Sequence, residues 1–110
     1  MTAPRTERRR LVNRRPNEMF SFSWRGMHFT ATIGRFPDGR LGEIFLTNGK
    51  VNTDADTAAR DSAVTASIAL QFGADLETLR RALLRDPRGI ASGPLGTALD
   101  LIAQLDEEQR

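Results

Sequence analysis

A chain of 110 residues with 39% hydrophobic and 27% charged side chains has room for one core and is too apolar for full disorder. It has no cysteine, no tyrosine and one histidine, His28. That composition excludes disulfides, thiolate metal sites and thiol nucleophiles, and leaves little for acid–base work near neutral pH. The net charge of +2 is unevenly spread: residues 1–16 carry six arginines against Glu7, a local +5, and the remainder carries ten basic against thirteen acidic groups, −3.

In chain order, residues 1–16 come first as a basic segment with Pro4, Pro16 and only Leu11–Val12 as adjacent apolar residues. Such a stretch buries too little surface to offset its chain entropy and is expected to be a disordered or loosely docked arm. No apolar stretch follows it as in a secretory signal, and no run reaches the ~18 apolar residues of a membrane span, so a cytoplasmic protein without membrane partners is expected. Phe20, Phe22 and Trp24 alternate with Ser21, Ser23 and Arg25, which places three aromatics on one face of a strand. Arg25-Gly26 makes a tight turn, and Met27, Phe29, Ala31 and Ile33 alternate with His28, Thr30 and Thr32 in a second strand. Pro37-Asp38-Gly39 has the chemistry of a turn, and Gly42 to Thr47 forms a third strand closed by Asn48-Gly49.

Helical spacing begins after Asn52-Thr53-Asp54. Ala55, Ala59, Ala63, Ala66 and Leu70 make one stripe and Val64, Ile68 and Phe72 an adjoining one, an apolar arc wide enough to pack on both the sheet and another helix. Gly73 ends this helix. Asp75 caps a second helix with Leu76, Leu79, Leu83 and Leu84 inward, stopped by Asp86-Pro87. Pro94 opens a third, with Leu95, Ala98, Leu99, Ile102 and Leu105 as its apolar face. The order βββααα implies a single α+β domain over residues 17–108: a three-stranded antiparallel meander with three helices packed on one face, in two layers.

Four constellations carry potential chemistry. Asn52, Asp54 and Asp56 have the alternation of hard-cation ligands, but the same residues at a helix start are caps that favour its positive end. His28 lies on the polar side of its strand, and Ser21 and Ser23 nearby are ordinary strand alternation without a positioned partner. The loop containing Arg88, Ser92, Gly93, Gly96 and Thr97 brings glycines to a helix N-terminus, which suits an anion, although Pro94 removes one donor and the spacing matches no phosphate loop. Arg5, Arg8, Arg9, Arg10, Arg14 and Arg15 form a polyanion arm with no reading helix beside it, and Phe20, Phe22 and Trp24 serve the core rather than base stacking.

Taken together, Arg14-Arg15-Pro16, the segment Asp38 to Phe45, Gly49-Lys50 and the alanine-rich helix after it resemble the TSCPD domain family. That family occurs as the C-terminal domain of cobalamin-dependent (class II) ribonucleotide reductases and as short stand-alone bacterial proteins. The resemblance runs from about Arg14 to Leu105. It departs at the motif that names the family: Ala91-Ser92-Gly93-Pro94-Leu95 keeps the serine and proline but holds Gly93 at the cysteine position and Leu95 at the aspartate position. The resemblance implies a non-catalytic accessory domain without cofactor, acting by protein binding, with a ribonucleotide reductase catalytic chain as the partner it points to. Alternatives are nucleic-acid or nucleotide binding through the arm, and a regulatory component of a ribonucleoside-diphosphate reductase in DNA precursor synthesis. A homodimer is also expected to benefit so small a core.

Overall fold

Three strands and three helices follow one another along the chain: β1 (Asn17–Trp24), β2 (Met27–Arg35), β3 (Leu41–Thr47), α1 (Asp54–Gln71), α2 (Leu76–Ala82) and α3 (Pro94–Glu108). The structure, a computed structural model, describes residues 6–13, 15–50 and 53–109. The α+β order and the antiparallel meander β1-β2-β3 agree with the sequence pattern.

Both turns of the meander follow from local chemistry. Arg25 and Gly26 adopt φ of 50° and 76°, the pair of left-handed residues that matches the twist of a two-residue hairpin. In the second turn Gly39 donates to the Phe36 carbonyl and Asp38 accepts from the Arg40 amide. The register pairs Phe22 with Phe29 and Phe20 with Ala31, and on the other side Ala31 with Leu46 and Ile33 with Ile44. Directly paired residues share a face, so these side chains form one apolar layer. Phe22 stacks on Phe29 at 5.6 Å between centroids and Trp24 meets it edge-on at 6.2 Å. The core closes with Ala59, Ala63, Ala66 and Leu70 of α1 and Ala98, Leu99 and Ile102 of α3.

Besides closing the core, α1 completes the sheet. β3 is an edge strand, and the free backbone groups of an edge need a cover. The Ser67 hydroxyl accepts from the Ile44 amide and donates to the Ile44 carbonyl, both at 2.9 Å. One turn on, the Gln71 amide donates to the Gly42 carbonyl, and at the other end Asp56 accepts from the Asn48 amide. The helix therefore runs antiparallel to β3 with Asp56, Ser67 and Gln71 turned to the strand. These are three of the four buried polar residues among those described; the fourth is Glu43.

Several expectations need correcting. Val64, Ile68 and Phe72 are exposed, because the arc next to the alanine stripe is occupied by the polar line that covers β3. Leu84 is exposed too, since α2 ends at Ala82 and Leu83 turns extended, four residues before Asp86-Pro87. Three arginines of the basic segment touch the body, as a docked arm would. Arg8 donates to the Gln71 side chain, the Arg9 amide to the Gln71 carbonyl, and the Arg9 guanidinium lies 4.1 Å over the Phe36 ring. Arg15 grips both carboxylate oxygens of Glu43 at 2.6 and 2.8 Å. That carboxylate lies across Gly34, where a Cβ would stand 2.5 Å from Oε1, so glycine makes room for the pair.

Candidate functional site

The stretch from Leu83 to Thr97 is held by its own polar groups. An isolated bridge pairs Arg85 with Ala91, and Asp86 accepts from the amides of Arg88 and Ile90. The hydrogen bond from the Ile90 amide, with those from Arg88, holds the Asp86 carboxyl below the usual carboxylate range. Arg85 reaches through the loop to bind both oxygens of Asp100 on α3, at 2.8 and 2.7 Å, and also donates to the Gly89 and Arg80 carbonyls. Arg80 joins at 2.9 Å, and these bonds, led by Arg85, lower the Asp100 pKa. The loop is thus locked to α2 and α3 by one carboxylate shared between two arginines, a geometry that fixes position as well as charge.

Past the lock, the Ser92 amide donates to the Leu84 carbonyl, and the Ser92 carbonyl accepts from the Trp24 indole at 3.2 Å. Gly93 is the N-cap of α3 with no side-chain cap, and Pro94 takes the first helical position. Gly96 is required by closeness: a Cβ there would lie 2.9 Å from the Ala91 Cβ, whereas one on Gly93 would meet nothing within 4 Å. Ser92, Gly93 and Gly96, with Ala58, Leu83, Leu84 and Leu95 among their neighbours, line a groove of about 340 Å³. Its walls are almost wholly apolar, and Gly93 opens onto it.

This geometry divides the loop singled out from sequence. Ser92, Gly93 and Gly96 come together on the groove, while Arg88 and Thr97 do not line it. Arg88 is paired with Asp86 at 3.0 Å on the outside of the loop, and the Thr97 hydroxyl is spent on the Gly93 carbonyl at 2.8 Å. The groove is therefore walled mainly by apolar side chains, with the N-terminus of α3 at its edge.

Of the basic segment, Arg9, Arg10 and Arg15 line a second groove of about 480 Å³ with Arg35, Leu11, Val12 and Phe36. Arg35 is already bonded to Glu18 and Asp106. Arg8 sits at the end of α1, and Arg5 and Arg14 lie outside the described residues. A third groove, of about 760 Å³, mixes arginines and carboxylates between the β2–β3 turn, α2 and α3.

The other candidates fall elsewhere. Asn52 lies outside the described residues; Asp54 is exposed, and Thr53 caps α1 by accepting from the Asp56 amide. Asp56 is buried, and the Asn48 amide followed by Arg60 holds its pKa down. No group of three histidine, aspartate or glutamate side chains among the described residues is placed to hold a metal ion. His28, Ser21 and Ser23 are exposed on the outer sheet face. No helix among the described residues is long and apolar enough to cross a membrane.

Residues 80–100 therefore hold a built surface feature, and sequence reasoning missed its frame, Arg80, Arg85 and Asp100. The only available signal was two arginines in and just after a short helix with an aspartate on the next one.

Comparison with known proteins finds similarity between this chain and a segment of larger ones. It is 33% identical over 72 residues to a vitamin B12-dependent ribonucleotide reductase of Rhodopirellula baltica, covering 66% of this chain and 7% of that protein. Over 74 residues it is 34% identical to proteins of the same name from Streptantibioticus cattleyicolor and Streptomyces coelicolor, covering 67% of this chain and 12% and 8% of theirs. The chain thus spans about a tenth of the length of these curated relatives. No protein-family profile matches the sequence, and no solved structure matches it.

Proposed function

We propose that this chain is a non-catalytic accessory domain of the TSCPD type that acts by binding a ribonucleotide reductase chain. The observation that carries the reading is the groove at Gly93. It is apolar, it is framed by a loop fixed through Arg85 and Asp100, and exposed Leu84 stands on its rim. A fixed apolar recess beside an exposed leucine is what a protein contact uses for its central anchor. The partner is suggested by similarity to a segment of vitamin B12-dependent ribonucleotide reductases, in which the counterpart of this domain is part of the reductase chain itself.

The reading assigns no cobalamin to this chain. His28, its one histidine, lines none of the grooves described above. Cobalamin chemistry stays with the reductases.

The test is titration of the full chain into a purified vitamin B12-dependent ribonucleotide reductase from the same cells, followed by calorimetry and by nucleotide-reduction assay. Binding that Leu84→Asp weakens about tenfold or more, a loss of ~1.4 kcal/mol, supports the reading. Because Leu84 is 77% exposed, that variant should melt with the parent. No binding, or binding indifferent to Leu84→Asp, overturns it. Capture of partners that disappears on nuclease treatment would favour the arginine-lined groove instead.

A further inference from the structure

The exposed apolar side chains of α1 form a second surface, separate from the groove at Gly93. Val64 is 47% exposed, Ile68 40% and Phe72 37%. Their spacing of four residues makes one ridge along the helix. At 100° per residue this ridge lies directly beyond the line Asp56, Ser67 and Gln71 that faces β3, on the side away from the core. On that side β3 presents Phe45, paired with Thr32 on the outer sheet face and 46% exposed. Because Ser67 is fixed to Ile44 and Gln71 to Gly42, Phe45 stands at the level of the Val64 turn. Four large apolar side chains thus flank one strip of surface.

The charges along this strip are polar in the geometric sense. Its N-terminal half carries exposed Asp54 and Asp61, while Arg60, the next position along the ridge, is paired with buried Asp56 at 2.7 Å. Its C-terminal end carries exposed Arg8, held there by its bond to Gln71. A strip acidic at one end, basic at the other and apolar between is complementary to itself when one copy is reversed.

We propose that this face is the contact between two copies of the chain, packed with their α1 helices antiparallel about a twofold axis at the level of Ala66. In that arrangement Val64 of each copy meets Ile68 of the other, and the i, i+4 ridges interdigitate at a crossing of about −50°. Asp61 of each copy then faces the Gln71 end of the other, where Arg8 is bound. A parallel pairing sets Asp61 against Asp61 and Arg8 against Arg8, and is disfavoured. The proposal does not depend on any reductase partner.

The test is sedimentation equilibrium of the full chain. A dimer is expected at concentrations of about 10–100 μM, the range for an interface of modest area. Ile68→Asp should shift it to monomer, with its circular dichroism and melting temperature close to those of the parent monomer. Asp61→Arg alone should weaken the dimer about tenfold or more, and combining it with Arg8→Asp should restore it, which a merely local loss of apolar surface would not do. A chain that stays monomeric to about 1 mM, or a dimer unchanged by Ile68→Asp, overturns the proposal. A monomer that loses reductase binding on Ile68→Asp overturns it too and assigns the strip to that partner.

Discussion

Ser67→Ala tests whether a helix side chain completes the edge of the sheet. Ser67 is 4% exposed and Ile44 fully buried, and the hydroxyl both accepts from the Ile44 amide and donates to its carbonyl at 2.9 Å. Serine in mid-helix commonly turns its hydroxyl back to its own helix; here it is committed to another element. Alanine removes both partners at once and leaves two backbone groups where water has little access. An unsatisfied buried amide costs about 1–3 kcal/mol and a carbonyl somewhat less, so a loss of roughly 2–4 kcal/mol is expected. Against a total of ~5–15 kcal/mol this is a large fraction. With a urea slope of about 2 kcal/mol/M, the midpoint should fall by roughly 1–2 M at unchanged slope. Trp24, the only tryptophan, is partly buried and bonded to the Ser92 carbonyl, so its fluorescence reports the transition. Thr65→Ala is the control, because that exposed hydroxyl bonds only the Asp61 carbonyl of its own helix, and its effect should stay within about 0.5 kcal/mol. A Ser67→Ala loss no larger than the control would refute the reasoning and show that β3 does not depend on α1 for its edge.

Other substitutions probe the remaining contacts. Gly34→Ala brings a Cβ to 2.5 Å from Glu43 Oε1, which Arg15 holds, and should cost about 1–3 kcal/mol in thermal melts; a neutral result would mean the Arg15–Glu43 pair shifts freely. Gly93→Cys should melt within about 0.5 kcal/mol of the parent and react fast with a thiol reagent, because nothing stands within 4 Å of that Cβ; slow labelling would show that the groove is closed. Gly96→Ala should instead destabilise, since its Cβ falls 2.9 Å from that of Ala91. Asp56 has a folded pKa below its unfolded value, chiefly through the Asn48 amide and then Arg60, so its contribution is full above the unfolded pKa of about 3.9 and is lost as pH falls through the folded value. The stability gap between the parent and Asp56→Asn should therefore hold from neutral pH to about 4 and close below it, and a gap independent of pH in urea melts would exclude a charged Asp56 as its source.

The meander was legible because period-two alternation with turn residues leaves little choice of face: Phe20, Phe22, Phe29 and Ile33 had to point one way once Ser21, His28 and Thr32 pointed the other. α1 was legible as a helix but not in its orientation. Alanine at positions 59, 63 and 66 marks close approach, yet Val64, Ile68 and Phe72 carry a stronger apolar signal on the neighbouring arc. What turned the helix was a competing demand, the unpaired groups of β3, which brought Asp56, Ser67 and Gln71 inward. Periodicity counts apolar residues and cannot register a hydroxyl whose partner is a strand twenty-three residues away.

The same blindness shaped the reading of the basic segment. A local charge of +5 suggests a free arm for phosphate only if the charges face solvent. Arg15 is instead committed to Glu43, which is nearly inaccessible at the sheet surface; Arg9 lies on Phe36 with Asp38 at 3.9 Å; Arg8 closes the end of α1. Each of these contacts lies between 27 and 63 positions away in sequence, beyond the reach of any local charge count. The acidic excess of the rest of the chain supplies two of these partners, Glu43 for Arg15 and Asp38 for Arg9. What the segment then offers a partner is less its total charge than where that charge is left: Arg8 at one end of α1, opposite in sign to Asp54 and Asp61 toward the other.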